Sequence, residues 1–243
     1  MEPDAYQSMH QVEQLHWWYR SRRKIVARLI KHLVPVVDGR ILDTGCGTGG
    51  NLGLLSGIGD TLGLEYNPDA AQLSKQRNIC PVIRAKLPDG LPFPAASCAM
   101  VTLFDVLEHI DDDKATLTSL HSVLRPQGHI VITVPAFPFL WSYHDTTHHH
   151  KRRYTRRSLE KILRESGFTI EYLSYYNFFL FPLVLVMRLI GNLTGASAGS
   201  DETIPAGPLN VLLEKIFAAE RYLMPSIHFP FGVSLIAVAR KHT

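Results

Sequence analysis

Residues 41–50, ILDTGCGTGG, place four glycines in six positions directly after a short apolar run that ends on Asp43. Glycine tolerates positive φ and lets a ligand approach the backbone at a helix N-terminus, so a strand that stops on this sequence is built to hold something there. Gly45, Gly47 and Gly50 match the G-x-G-x-x-G spacing of dinucleotide sites. Glu65 closes the next apolar run, about 20 residues on, where a carboxylate can accept hydrogen bonds from ribose hydroxyls. That order of strand, tight turn and helix commits the chain to an α/β fold.

The rest of the sequence keeps the same rhythm. Residues 21–33 carry Ile25, Val26, Leu29, Ile30 and Leu33 at helical spacing, and Pro35 and Gly39 end that helix before a strand at 40–43. After the glycine loop come a helix start at 51–56, a strand at 61–65, a helix at 68–76 opened by Pro68, and strands at 81–85, 99–104 and 129–134. A helix over 112–124 and the turn RPQG separate the last two. Apolar strands alternating with helices imply a mostly parallel, doubly wound sheet covered on both faces. Beyond Pro135 a loop rich in His and aromatics leads to a helix at 156–166, between Thr155 as N-cap and Gly167. Late strands at 168–176 and 232–240 enclose a helical insertion, 177–230, with an apolar run, a flexible stretch at 191–208 and a helix at 209–224. The 243 residues read as a single domain, with 1–34 as an N-terminal helical lid.

Asp43 bears on what the glycines hold. A carboxylate at the loop mouth repels a pyrophosphate but favours a ligand carrying an ammonium and a sulfonium, as S-adenosylmethionine (SAM) does. Capping of the loop is the plain structural reading of the same residue. An NAD-linked oxidoreductase is the alternative that the glycine spacing alone would allow.

With five segments in order, the sequence resembles the class I SAM-dependent methyltransferases over roughly residues 25–168: LDTGCGTGGN (42–51), GLEYNP (63–68), LPFP (91–94), LFDVLEHIDD (103–112) and LRPQGHIVITVP (124–135). The resemblance implies a seven-stranded sheet ordered 3-2-1-4-5-7-6 with its last strand antiparallel. The cofactor would lie at the carboxyl ends of the first, second and fourth strands. Asp43, the backbone of Gly45, Cys46 and Gly47, and Asn51 would hold its methionine part. Glu65 would bind the ribose and Tyr66 would flank the adenine, while Phe104 and Asp105 line the site. Leu87 occupies a position where the family often has an acidic residue for the adenine amino group, so a backbone group or Asp89 has to replace that contact. The segment HWWYR (16–20) implies a lid, with Trp17, Trp18 and Tyr19 over the sulfonium or acceptor and Arg20 on the cofactor carboxylate. Packing of the N-terminal helix explains the same aromatics equally well.

Methyl transfer from a sulfonium mainly needs donor and acceptor aligned, and a base only where the acceptor is a hydroxyl or a protonated amine. Two clusters offer one. Asp105, Glu108 and His109 stand at i, i+3 and i+4, so a helical turn puts them on one side, as base, acceptor-binding group, small metal site or support for the cofactor loops. The second cluster, 141–157, contains His144 and His150, base candidates titrating near working pH, with Asp145 to orient one of them. No metal is expected, because His148, His149 and His150 are adjacent rather than turn-spaced and no cysteine joins them. Lys151, Arg152, Arg153, Arg156 and Arg157 can grip an anionic acceptor or form a solvated face.

These features point to an enzyme that methylates O or N of a small acceptor, hydrophobic or anionic, with a SAM binder that transfers nothing as the runner-up. A net charge of +3 is too small to argue by itself for a nucleic-acid partner, and none is expected, while three cysteines without metal spacing suit a reducing, cytoplasmic compartment. The polar start MEPDAYQSMH is unlike a signal peptide. The apolar run within 178–190 is too short to span a bilayer and offers peripheral lipid contact or a homodimer face.

Overall fold

The computed structural model describes residues 3–194 and 203–242. In chain order the elements are α1 (Pro3–Val12), α2 (Trp17–Leu33), β1 (Arg40–Thr44), α3 (Leu52–Ser56), β2 (Asp60–Glu65), α4 (Pro68–Gln76), β3 (Val82–Arg84) and β4 (Cys98–Phe104). A 3-10 turn, Leu107–His109, precedes α5 (Asp113–Val123), β5 (Leu124–Pro135), α6 (Tyr143–Thr147), α7 (Arg156–Glu165), β6 (Phe168–Tyr176), α8 (Phe181–Thr194), α9 (Gly207–Ala219) and β7 (Ser234–Lys241). The seven strands form one sheet in the order β3-β2-β1-β4-β5-β7-β6, and β7 runs antiparallel to both β5 and β6. All of β4 is buried, as expected for an apolar strand at the sheet centre, and Leu42 of β1 is in register with Leu62 on one side and Val101 on the other.

Local signals place the helices. Asn67 caps α4 by accepting from the N–H groups of Asp69 and Ala70, at 2.9 and 3.0 Å, with Pro68 opening the first turn. The Asp112 side chain accepts from Ala115 N–H at 2.7 Å to start α5. On α2 the buried face is Ile25, Val26, Leu29 and Ile30, and each such side chain removed from water stabilises the fold by roughly 1.5–3 kcal/mol.

Three features differ from the sequence reading or extend it. The RPQG turn lies inside β5, where Gln127 takes φ +63 and the β4 pairing resumes at His129 after a register shift. The loop after β5 contains α6, because Ser142 and Asp145 form a capping box that starts a short helix. The insertion is clamped to α2: Trp17 N–H donates to Asn210 Oδ1 at 2.9 Å, and Arg20 and Lys24 both pair with Glu214. Its start is held by Glu220, which is buried and accepts from the N–H groups of Asn177, Phe178 and Phe179 at 2.8, 2.7 and 3.1 Å. Of the stretch read as flexible, 191–208, the part 195–202 lies outside the described residues, and its ends belong to α8 and α9. Among the described residues no helix is long and apolar enough to cross a membrane.

Candidate active site

β1 carries Asp43 to the carboxyl end of the sheet, where it is buried. Thr102, on the adjacent β4, donates its hydroxyl to Asp43 Oδ1 at 2.6 Å, whereas Oδ2 is buried without a partner. Burial pushes this carboxyl up to about 7, against the Thr102 hydrogen bond and the positive charge of Arg22, which pull it down. Gly45 follows with φ +69, and a Cβ there would lie 2.6 Å from Val106 Cγ2, so the chain passes beneath the β4 turn only as glycine. The N–H groups of the turn point inward: Gly45 and Cys46 donate to Leu64 O at 2.7 and 3.0 Å, Gly47 to Glu65 Oε2 at 2.9 Å, and Gly49 to Cys46 O at 2.9 Å. A phosphate cradle needs such donors aimed at the ligand. Here the unsatisfied group is an acceptor, which suits a cationic ligand.

The other residues expected to bind the cofactor surround this turn. Glu65 is buried, and its second oxygen accepts from Asn67 N–H at 2.8 Å, so it braces the loop at the end of β2. Burial raises its pKa while these backbone donors lower it. Cys46 turns its sulfur away, 3.7 Å from Ser74 Oγ, and leaves only its backbone for a ligand. Tyr66 presents a largely exposed ring with Lys86 Nζ 5.7 Å from its centre, and Leu87 packs half-buried against the core nearby in sequence. Asp105 follows β4 directly with φ +58 and donates its N–H to Thr133 O at 3.0 Å.

The arginine whose charge acts on Asp43 is Arg22. Arg20, expected on the cofactor carboxylate, instead pairs with Glu214 at 3.3 Å because it lies on the face of α2 that meets α9. Arg22 is buried and paired with Asp105, with Asn51 Oδ1 3.5 Å away. Its guanidinium carbon stands 4.7, 5.7 and 5.9 Å from the rings of Trp18, Tyr19 and Phe104. The signal was in the helix pattern, since Arg22 lies one turn before Ile25 and Val26 on the buried stripe. Trp17 points elsewhere, edge-on to Phe217 of α9. From the other side α1 lies on the glycine loop: Thr48 donates to Glu13 Oε1 at 2.6 Å, Arg77 pairs with the same carboxylate, and Met9 Cε is 3.2 Å from where a Gly47 Cβ would be.

The two polar clusters read separately in the sequence form one group. Lys151 N–H donates to Glu108 O at 2.7 Å and binds the histidine loop to the turn after β4. His109 and His150 then meet edge to face with ring centres 4.7 Å apart, and His144 lies 5.8 Å from His150. His150 Nδ1 is 2.9 Å from Asp145 Oδ1, so Asp145 orients that ring. The expectation that His144 titrates near working pH is overturned: burial and the neighbouring imidazoles lower it to about 2, and they lower His109 to about 3 and His148 to about 4. Neutral imidazoles this reluctant to take a proton are poor general bases.

The cations at 151–153 are not a free anion grip. Lys151 pairs with Asp111 at 3.3 Å, Arg152 with Asp113 at 2.7 Å, and Arg153 holds Asp145 through Nε and Nη2 at 2.7 and 2.9 Å. Burial would raise the pKa of Asp145, but hydrogen bonds from His150 and Arg153 hold it well below the usual carboxylate range. Arg156 and Arg157 remain exposed at the start of α7. Because Asp145 and Arg153 are both buried, Asp145→Ala strands a guanidinium and is expected to cost about 3–5 kcal/mol. That corresponds to a fall on the order of 10 °C in thermal unfolding followed by circular dichroism, and a shift below about 2 °C would show the pair to be dispensable.

A family model described as "Methyltransferase domain" matches residues 16–173, more than half of the chain. A protein of Mycolicibacterium smegmatis named "Probable S-adenosylmethionine-dependent methyltransferase" is 29% identical over 163 residues, 64% of this chain and 61% of that one. The chain thus spans about three fifths of the length of the curated relatives it matches. Among solved structures, a SAM-dependent methyltransferase from Archaeoglobus fulgidus superposes with TM-score 0.56 at 20% identity, covering 90% of this chain and 94% of that one. The cyclase SpnF gives 0.59 at 16% identity, covering 92% and 81%. These likenesses show the fold, and the family match goes further. The chain belongs to the SAM-dependent methyltransferase family, and its cofactor is SAM.

Proposed function

We propose that this protein transfers the methyl group of SAM to an oxygen or nitrogen of a small hydrophobic acceptor. One observation carries the reading: the glycine turn spends its N–H groups internally and leaves Asp43 Oδ2 buried and unpartnered, with Arg22 close enough to lower its pKa. An acceptor for an ammonium beside a donor for a carboxylate is the complement of a free amino-acid end, which SAM has and NAD lacks. When bound, SAM supplies an electrophilic methyl on its sulfonium. Asp43 and Arg22 hold the amino-acid end, with Asn51 beside them. Glu65 keeps lone pairs for the ribose, Tyr66 and Leu87 flank the adenine, and Tyr19, Phe104 and Asp105 enclose the reacting end. Glu108, His109 and His150 receive the acceptor, and His144 packs behind them. A hydrophobic acceptor agrees with the exposed apolar side chains of α8 and α9, among them Leu183, Val186, Met187 and Leu212, on which lipid or a second copy of the chain can also rest. With Lys151, Arg152 and Arg153 already paired, an anionic acceptor would have only Arg156 and Arg157 of that basic block to hold it.

The likeness to a cyclase favours one other reading, a SAM binder that moves no methyl group. Titration calorimetry with SAM, S-adenosylhomocysteine and NAD, followed by methyl release from labelled SAM over a panel of phenols, catechols and amines, separates the two. SAM binding with label transfer is expected. Binding of NAD without SAM overturns the cofactor assignment, and SAM binding without transfer to any acceptor favours the non-methylating reading.

A further inference from the structure

We propose that the insertion after β6 docks this protein on an anionic lipid bilayer, with α8 lying in the plane of the membrane surface. Both helices of the insertion place polar side chains inward and apolar ones outward, the reverse of a water-facing helix. On α8, Leu183, Val186, Met187 and Ile190 follow the i, i+3, i+4, i+7 spacing of a core stripe, yet each is more than half exposed. Arg188 of the same helix points the other way, donating to Leu140 O at 2.6 Å and lying 3.5 Å from the buried Asp145. On α9, Asn210 and Glu214 are buried against α2 while Leu209 and Leu212 face outward. The α8 stripe is also extended by rings. Phe181 meets Phe231 at 5.2 Å and Phe137 at 6.0 Å, and Phe137 meets Phe139 at 5.1 Å, with Phe231 and Phe139 both exposed. A contiguous apolar surface of this kind calls for an apolar partner outside the chain.

Charge selects the partner. At the described positions within 136–157 and 177–231 the acidic residues are Asp145, Glu214 and Glu220, and all three are buried, whereas Arg156, Arg157 and Lys215 are exposed. Arg156 lies beside the aromatic end of the stripe: its N–H donates to Tyr175 Oη at 3.3 Å, and Tyr175 stacks on Phe137 at 4.8 Å. The first acid of α7, Glu160, is taken by Arg164 at 3.0 Å. Arg156 and Arg157 also open α7 at the positive end of its dipole, where a cation is unfavourable unless an anion stands near, and lipid phosphates supply one. A second copy of the chain fits less well, because a two-fold interface gathers both sets of these cations on one surface. The 14 residues of α8 reach about 21 Å against a hydrocarbon core of roughly 30 Å, so the helix lies on the bilayer rather than across it. Vesicle binding stands independently of the methyl-transfer reading, whereas delivery of a hydrophobic acceptor from the bilayer to the site rests on it.

The test is co-sedimentation of the full chain with vesicles of phosphatidylcholine alone and of equal parts phosphatidylcholine and phosphatidylglycerol, at low and high salt, with the oligomeric state read by light scattering. Binding at least about tenfold tighter to the anionic vesicles, and weakened by salt, is expected. Arg156→Gln with Arg157→Gln lowers that affinity about 10- to 30-fold. Val186→Glu with Met187→Glu lowers it about 100-fold or more, because each carboxylate replaces apolar contact and is repelled by the lipid phosphates. All four positions are exposed, so melting temperature and SAM affinity stay at the parent values, which separates loss of docking from loss of fold or of the cofactor site. Absence of vesicle binding by the parent, equal binding to neutral and anionic vesicles, or undiminished binding by the Val186→Glu and Met187→Glu protein each overturns the proposal. A parent dimer that those two substitutions split into monomers also overturns it, since the stripe would then be covered by a second copy.

Discussion

Asp43→Asn is expected to weaken SAM on the order of 100-fold or more while making the ligand-free protein more stable above neutral pH. The affinity loss follows from removing the charged member of a buried, hydrogen-bonded ion pair, commonly about 2–5 kcal/mol. The stability gain has the opposite origin. Burial raises the folded-state pKa of Asp43 to about 7, far above that of the unfolded chain. Between those two values the folded protein holds a proton that the unfolded chain has released, so Asp43 makes stability fall as pH rises from about 4 to 7 and leaves it level beyond. Asparagine has no such slope. The melting temperature of the variant minus that of the parent should therefore climb across that interval and plateau near pH 7.5. The same group gives SAM binding an acid limb: below pH 7 the carboxyl must ionise before it can pair with an ammonium, and affinity drops by up to tenfold per pH unit. Calorimetry from pH 5.5 to 8, with melts on matched samples, checks both halves. A parent affinity that is flat with pH would remove Asp43 from the cofactor contact.

Much of this was legible in the sequence because local patterns carried it. The apolar run of β4, the glycines after β1, the Asn67-Pro68 start of α4 and the stripe Ile25, Val26, Leu29, Ile30 each fix an element with information a few residues long. The order in which the strands line up is not local, and it entered through the family likeness rather than from spacing. What the sequence hid were pairings across long loops. Arg152 reaches the carbonyl of Asp111, 41 residues away, so a basic block that looks like a grip for anions is spent on an acidic one. Glu108 and His150 meet only because β5 carries the chain away and α6 brings it back. The α6 start is local, since Ser142 and Asp145 have capping-box spacing, but nothing local shows that the helix brings His150 to Glu108. Burial was the other hidden quantity: it turns His144 from a base candidate into an imidazole that stays neutral.

The choice between two arginines two residues apart gives the second large effect. Arg22→Met is expected to reduce SAM affinity roughly 30- to 1000-fold and to cost about 3 kcal/mol of stability, the low end for a broken buried pair because Asp105 keeps some contact with solvent. Arg20→Met should do neither, since a half-exposed partner of Glu214 contributes less than about 1 kcal/mol. The argument extends to pH. Burial raises the pKa of both Asp43 and Glu108, Arg22 is a cation that pulls both back down, and Asp105 and Glu65 add negative charge around them. Without it these carboxylates face one another with less compensation, and the acid limb of SAM binding moves to higher pH. Arg22→Lys restores the charge but not the planar fork, so it should return the limb toward its original position while recovering only part of the affinity. Melting curves and calorimetry on the three variants distinguish these effects. If Arg20→Met abolished SAM binding and Arg22→Met left it intact, the guanidinium beside Asp105 would be a structural brace and the cofactor carboxylate would lie on the α9 side of the helix.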